Sequence, residues 1–204
     1  MHSGYYYKLT RLKSSPPVNY LRSLVIFKWQ SYLTFITGIL LLAVIYYYRP
    51  EILMVDKKVL NMLPSTAIIL SILSLVVSWL IYDFLCKSSL INNSLLFTVS
   101  CFLIATLGAF FLTKIFGSRA AYIHVGACLG TIMAANVFRV IIPSQKNMVD
   151  AALLNEKPDL QKGISAKNRS IHNNYITLPV LFIMISSHFP FTYGHKYNLS
   201  LIHI

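Results

Sequence analysis

Residues 119–142, RAAYIHVGACLGTIMAANVFRVII, decide the fold. Twenty-four residues at 1.5 Å each make about 36 Å of helix, enough to cross a hydrocarbon layer of about 30 Å. The run is too long for a strand, and an open strand leaves its peptide groups unsatisfied in lipid. It still carries His124, Asn136 and Arg139. At 100° per residue His124, Cys128, Thr131, Ala135 and Arg139 share one face, while Gly126, Gly130 and Ala134 form a small-residue stripe on another. One face reads as polar and the other as close helix packing.

Four more apolar stretches lie around it, at about 29–48, 65–86, 93–115 and 175–190, the last one short. The expectation is an all-α, polytopic membrane helix bundle of about five transmembrane helices. Residues 1–28 form an N-terminal segment, 29–204 the bundle, and 143–174 its longest loop. That loop reads as partly helical at VDAALLN, with Pro158 breaking it, and Pro143 is expected to stop the fourth span. Trp29, Tyr46, Tyr47, Tyr48, Trp79, Tyr82 and Tyr122 sit near span ends, where amphipathic rings prefer to lie.

The whole chain agrees. Of 204 residues 56% are hydrophobic and 12% charged, and the mean hydropathy is +0.62. Soluble domains carry about 25% charged residues, and disordered chains have the reverse composition. The 18 Lys and Arg exceed the 6 Asp and Glu, but no nucleic-acid motif accompanies them, so no nucleic-acid partner is expected. Twelve of the 18 basic residues lie before the first span, between spans two and three, or at 139–174. The positive-inside rule therefore places the N-terminus and the long loop in the cytoplasm. Cys86, Cys101 and Cys128 all lie in apolar runs without a C-x-x-C, so they read as small buried hydrophobes. No signal peptide is visible.

Ionisable and amide groups within spans are costly, so each is a functional candidate. His124 and His188 fall near the outer ends of their helices, His188 on a stripe with Thr177, Leu181 and Met184. Such a pair can hold a haem or a metal, with His195 just beyond. The competing reading is bonding to backbone carbonyls or to Ser and Thr. The inner end gathers Asn136, Arg139, Arg169, His172, Asn173, Asn174 and Tyr175. Arg forks onto anions, amides read a planar heterocycle, and His172 can shuttle a proton. The competing reading is a capped helix start with snorkelling side chains. Asp83 reads as a proton-path residue or as an interfacial carboxylate.

Two segments go beyond composition. One runs Gly117-Ser118-Arg119-Ala120-Ala121-Tyr122-Ile123-His124-Val125-Gly126-Ala127, continues from Gly130 through Asn136 and Phe138, and ends Ile142-Pro143. The other runs from Arg169-Ser170-Ile171-His172-Asn173-Asn174-Tyr175 to Ser187-His188-Phe189-Pro190. Together with Phe27-Lys28-Trp29 and the stretch Trp79–Cys86, they resemble the membrane-bound urate hydroxylase family, the urate oxidase N-terminal domain. The resemblance implies a bacterial inner-membrane enzyme of purine catabolism that oxidises urate to 5-hydroxyisourate. Family members join about eight spans to a cytochrome c domain that takes the electrons.

This chain departs from the family in several places. His2-Ser3-Gly4-Tyr5-Tyr6-Tyr7 stands where the family has His-Gly-Gly-Gly-Phe-Tyr. The family's Ile-Pro-Asn-Gln reads Ile142-Pro143-Ser144-Gln145, and its Ser-Asn-His-Tyr-Pro reads Ser186-Ser187-His188-Phe189-Pro190. A first helix bearing a His and the cytochrome are also lacking, which implies an internal piece of a longer protein.

The resulting expectation has His172 and Arg169 as catalytic residues and Asn136, Arg139, Asn173 and Asn174 on the substrate. His124 and His188 are expected on a redox cofactor, a haem held here or in a cytochrome c. Urate, a cytochrome c and the bilayer are the expected partners. Two other readings stay open: a transporter or channel for urate or another anion, and a subunit that only docks an electron-transfer partner.

Overall fold

A computed structural model describes residues 25–154, 156–157 and 159–194. Among the described residues the chain is helical and contains no strand. Helix α1 spans Val25–Leu42 and continues as a π-helical turn over Ala43–Tyr47. A short α2, Pro50–Leu53, leads to α3, Pro64–Lys87, and Pro opens both because its missing N–H costs nothing at a helix start. A 3₁₀ turn at Ser89–Asn92 precedes α4, Ser94–Ile115, where the Asn93 side chain accepts from Leu96 N at 3.2 Å. Then come α5, Ser118–Asn136, a second π-helical turn at Val137–Ile141, and α6, Ile142–Leu153. Helix α7, Leu160–Ser186, starts at Asp159, whose carboxylate accepts from Gln161 N and Lys162 N, and α8 is Pro190–Tyr193.

Among the described residues four segments are long and apolar enough to cross a membrane: Trp29–Tyr47, Pro64–Lys87, Ser94–Ile115 and Ser118–Ala151. They are buried only along narrow seams, and Phe84, Leu95 and Leu40 stand among many large apolar side chains that face outward. Outward apolar surface on this scale suits lipid rather than water.

The chain differs from its sequence reading in three places. Pro143 does not end the fourth span, because helix continues through it to Leu153. A proline ring clashes with the carbonyl four residues back and leaves that carbonyl unbonded. That carbonyl belongs to Arg139, inside the wide π-helical turn, which lets the helix pass. The expected 143–174 loop is therefore largely the helices α6 and α7, while Pro158 and the N-terminal residues before Val25 lie outside the described residues. The expected fifth span is not a separate helix but the second half of α7, whose 27 residues begin with a polar half.

Helix α5 lies at the centre, packed on α3, α4 and α7. Its small residues explain the position: Ala120 and Ala121 are completely buried, and a Cβ on Gly126 would sit 2.9 Å from Ile183 Cγ2. Small side chains let helices approach where lipid supplies no hydrophobic drive. The stripe is not uniform, since Gly130 has open space beside it. Helices α5 and α7 run antiparallel, with Tyr122 bonded to Ser186 at one end and Asn136 to Arg169 at the other.

Candidate functional site

Helices α3, α5 and α7 meet at a polar network inside this apolar bundle. Tyr82 and Asp83 are consecutive on α3, and Asn136 is the last residue of α5 before the π-helical turn. Arg169, His172 and Asn173 sit at i, i+3 and i+4 of α7, so one face presents all three. Arg169 is 4% exposed and Asn136 0%.

The bonds form a continuous chain. Arg169 Nη2 donates to Asp83 Oδ1 at 2.6 Å, and Arg169 Nη1 to Asn136 Oδ1 at 3.0 Å. Asn136 Nδ2 donates to Asn173 Oδ1 at 3.0 Å and to Tyr82 Oη at 3.2 Å. Asn173 Nδ2 donates to the Met133 carbonyl at 3.0 Å. Tyr82 Oη lies 2.8 Å from His172 Nδ1. Since Asn136 donates to Tyr82, the phenolic proton is available for the imidazole. The His172 ring stacks on Phe97 at 4.9 Å, and the Arg169 guanidinium lies 5.0 Å from the Tyr82 ring centre.

The other Asp83 oxygen pairs with Lys87 Nζ at 2.6 Å. Two cations thus share one carboxylate, and the cluster keeps one net positive charge. A buried charge is tolerated only when paired and hydrogen-bonded, which accounts for the number of bonds on Arg169. His172 precedes the apolar half of α7. Burial first, then the nearby Arg169 charge, hold its imidazole below the ordinary value of 6.5.

The sequence candidates divide. Asn136, Arg169, His172 and Asn173 come together. Arg139 and Asn174 do not join them: both are exposed, and the Arg139 guanidinium lies 5.8 Å from the Trp79 ring centre. Their sequence neighbours point inward, but a step of one residue turns a helical side chain by 100° and a step of three leaves it 60° short of a full turn. Three members of the network are not among the sequence's site candidates: Tyr82 reads as an interface aromatic, Asp83 as a proton-path residue or an interfacial carboxylate, and Phe97 carries no sequence signal. An acidic residue in an otherwise carboxylate-free span was the one visible signal for Asp83.

The histidines at the other end are not presented as a ligand pair. His124 is 0% exposed. Its Nδ1 lies 2.7 Å from the Ala120 carbonyl and its Nε2 2.6 Å from Ser71 Oγ, which meets Tyr47 Oη at 2.7 Å. Its ring stacks on Phe116 at 4.7 Å. Both ring nitrogens are therefore engaged, as the competing reading of this residue had it, while the His188 ring is exposed. This arrangement does not fit a haem or metal held between the two. Among the described residues no three His, Cys, Asp or Glu side chains gather to hold a metal ion. His195 lies outside the described residues.

Neither a curated protein nor a solved structure matches the chain. The family model described as "Urate oxidase N-terminal" matches residues 1–204, the whole length. With that match over its whole length, this bundle of membrane-length helices belongs to the urate oxidase N-terminal family.

Proposed function

We propose that the chain is the membrane part of a urate-oxidising enzyme that turns urate into 5-hydroxyisourate and passes electrons to a cytochrome c. The observation that carries this reading is the Arg169 network, which combines net positive charge, amides and a proton-accepting imidazole inside a urate oxidase N-terminal chain. Urate is a planar anion edged with carbonyl and N–H groups. Arg169 supplies the charge that attracts it. Asn136 and Asn173, whose amides are bonded to Arg169, Tyr82, each other and the Met133 carbonyl, hold that charge in position. An incoming anion competes with Asp83 for Arg169, and Lys87 keeps the released carboxylate paired.

The reaction adds water at C5 of urate. One C–O bond forms, two protons and two electrons leave, and two one-electron acceptors, cytochrome c hemes, take the electrons. In this reading Tyr82 relays a proton from the attacking water to His172 Nδ1 while Asn136 supports the phenolic oxygen. The enzyme works in the bacterial inner membrane with the N-terminal segment and the α6–α7 connection in the cytoplasm, the side favoured by the basic residues.

The test uses membranes carrying the chain, with cytochrome c added, in water enriched in ¹⁸O. The expected result is urate loss with two cytochromes reduced per urate and the label at C5. Urate uptake into vesicles without chemical change would overturn the reading in favour of transport.

A further inference from the structure

A basin of about 360 Å³ opens at the seam between the α5–α6 junction and α7, lined by Arg139, Val140, Pro143, Ser144, Asn147, Lys162 and Ser165. Two cations line it and no carboxylate does. Asp159 reaches Lys162 only at 3.7 Å, with both side chains exposed. Ser144 is buried in its wall, so a hydroxyl and an amide stand beside the charges.

Its position matters more than its size. Ser165 and Lys162 lie one and two turns before Arg169 on α7. Val140 lies one turn after Asn136 on the antiparallel partner. At 5.4 Å per turn the basin lies one to two turns from the buried network along the same pair of helices. Gly163 lets α7 close on Met148 of α6 beside the basin, and a π-helical turn occupies Val137–Ile141 at the α5–α6 junction. Such turns often mark functional sites. Arg139 joins the basin to Trp79, one turn from Asp83 on α3. The Trp79 indole N–H is buried without an acceptor among the described residues. Trp79 does not itself line the basin, whose charge comes from Arg139 and Lys162.

We propose that this basin is an anion-capture site, where an organic anion from the aqueous phase is held by Arg139 and Lys162 before it reaches Arg169. The identity of the anion as urate rests on the function proposed above, while the charge of the site does not. Surface cations at a cleft raise the local concentration of an anion and its rate of arrival.

The experiment measures equilibrium binding of labelled urate, and separately urate turnover, for the full chain in nanodiscs of zwitterionic lipid. Saturable binding by the wild type is expected, weakened about tenfold or more in R139Q/K162Q. The same double variant is expected to raise KM about tenfold while kcat stays within twofold. The variant R169Q is expected to abolish turnover and keep the capture binding. Wild-type binding unaffected by R139Q/K162Q, or no binding at all, overturns the inference. Capture binding that depends on Arg139 and Lys162 without any turnover leaves the inference standing and removes the proposed oxidation. Repeating the binding with anionic phosphatidylglycerol separates the two sources of negative charge. Loss of wild-type urate binding there shows a lipid phosphate in the basin and overturns capture of a free anion.

Discussion

Arg169 is held by two helices to which it does not belong, through Asp83 on α3 and Asn136 on α5. Removing one partner of such a buried pair leaves the other charge uncompensated, which costs about 3–5 kcal/mol. Arg169→Ala is expected to destabilise the chain by about 3 kcal/mol, the low end because Lys87 remains on Asp83. Asp83→Asn with Arg169→Gln is expected to cost less than the two single changes added together. Thermal unfolding in detergent, run as a double-mutant cycle, checks both. His172 gives a pH signature. Its imidazole is held below 6.5 in the folded chain, so below that pH the unfolded chain binds more protons. The stability it supports is full above 6.5 and falls as pH drops below it. His172→Phe, which keeps the ring against Phe97, is expected to flatten that acid-side loss, and melting temperatures from pH 5 to 8 measure it. The sequence makes Asn136, Arg169, His172 and Asn173 visible because polar groups are out of place in an apolar chain. It does not show that Asp83, 86 residues away, is the ion partner, since that requires α3 and α7 to lie side by side. Adjacency misleads at Asn174, which helical rotation turns outward.

At the scale of elements, α5 decides how closely the bundle closes. A Cβ at Gly126 meets the Ile183 side chain, which is 2% exposed and has little room to move. Gly126→Ala is expected to lower stability by about 1–3 kcal/mol through overpacking. Ile183→Ala in the same chain is expected to relieve the clash, while Gly130→Ala, facing open space, is expected to be tolerated. Unfolding curves for the three variants distinguish a packing contact from a general dislike of larger residues. The small-residue stripe is readable from spacing, but which of its members touches a neighbour is not, because that depends on the register of α7. Pro143 shows the same limit. A proline after an apolar run reads as a stop, and only the π-helical turn before it shows how the helix continues.

For the whole molecule, hydropathy and length convey most of the architecture, because a backbone in lipid has few ways to satisfy its own polar groups. The fifth stretch reads as short by that argument because only the second half of α7 is apolar, and the polar first half extends the same helix along α5 and α6. The proposed orientation makes a direct prediction. A single cysteine placed at Glu156, with the native cysteines replaced, is expected to react with a membrane-impermeant maleimide only from the cytoplasmic side, and one at Lys57 only from the opposite side. Labelling of both from one side contradicts the arrangement. The central claim is that urate oxidation runs through the Arg169 network, and urate-dependent reduction of cytochrome c by membranes carrying the wild type or Arg169→Gln tests it most directly. The account predicts turnover by the wild type and at least about a hundredfold loss in the variant, with comparable amounts of folded protein. A variant that oxidises urate as fast as the wild type would contradict it.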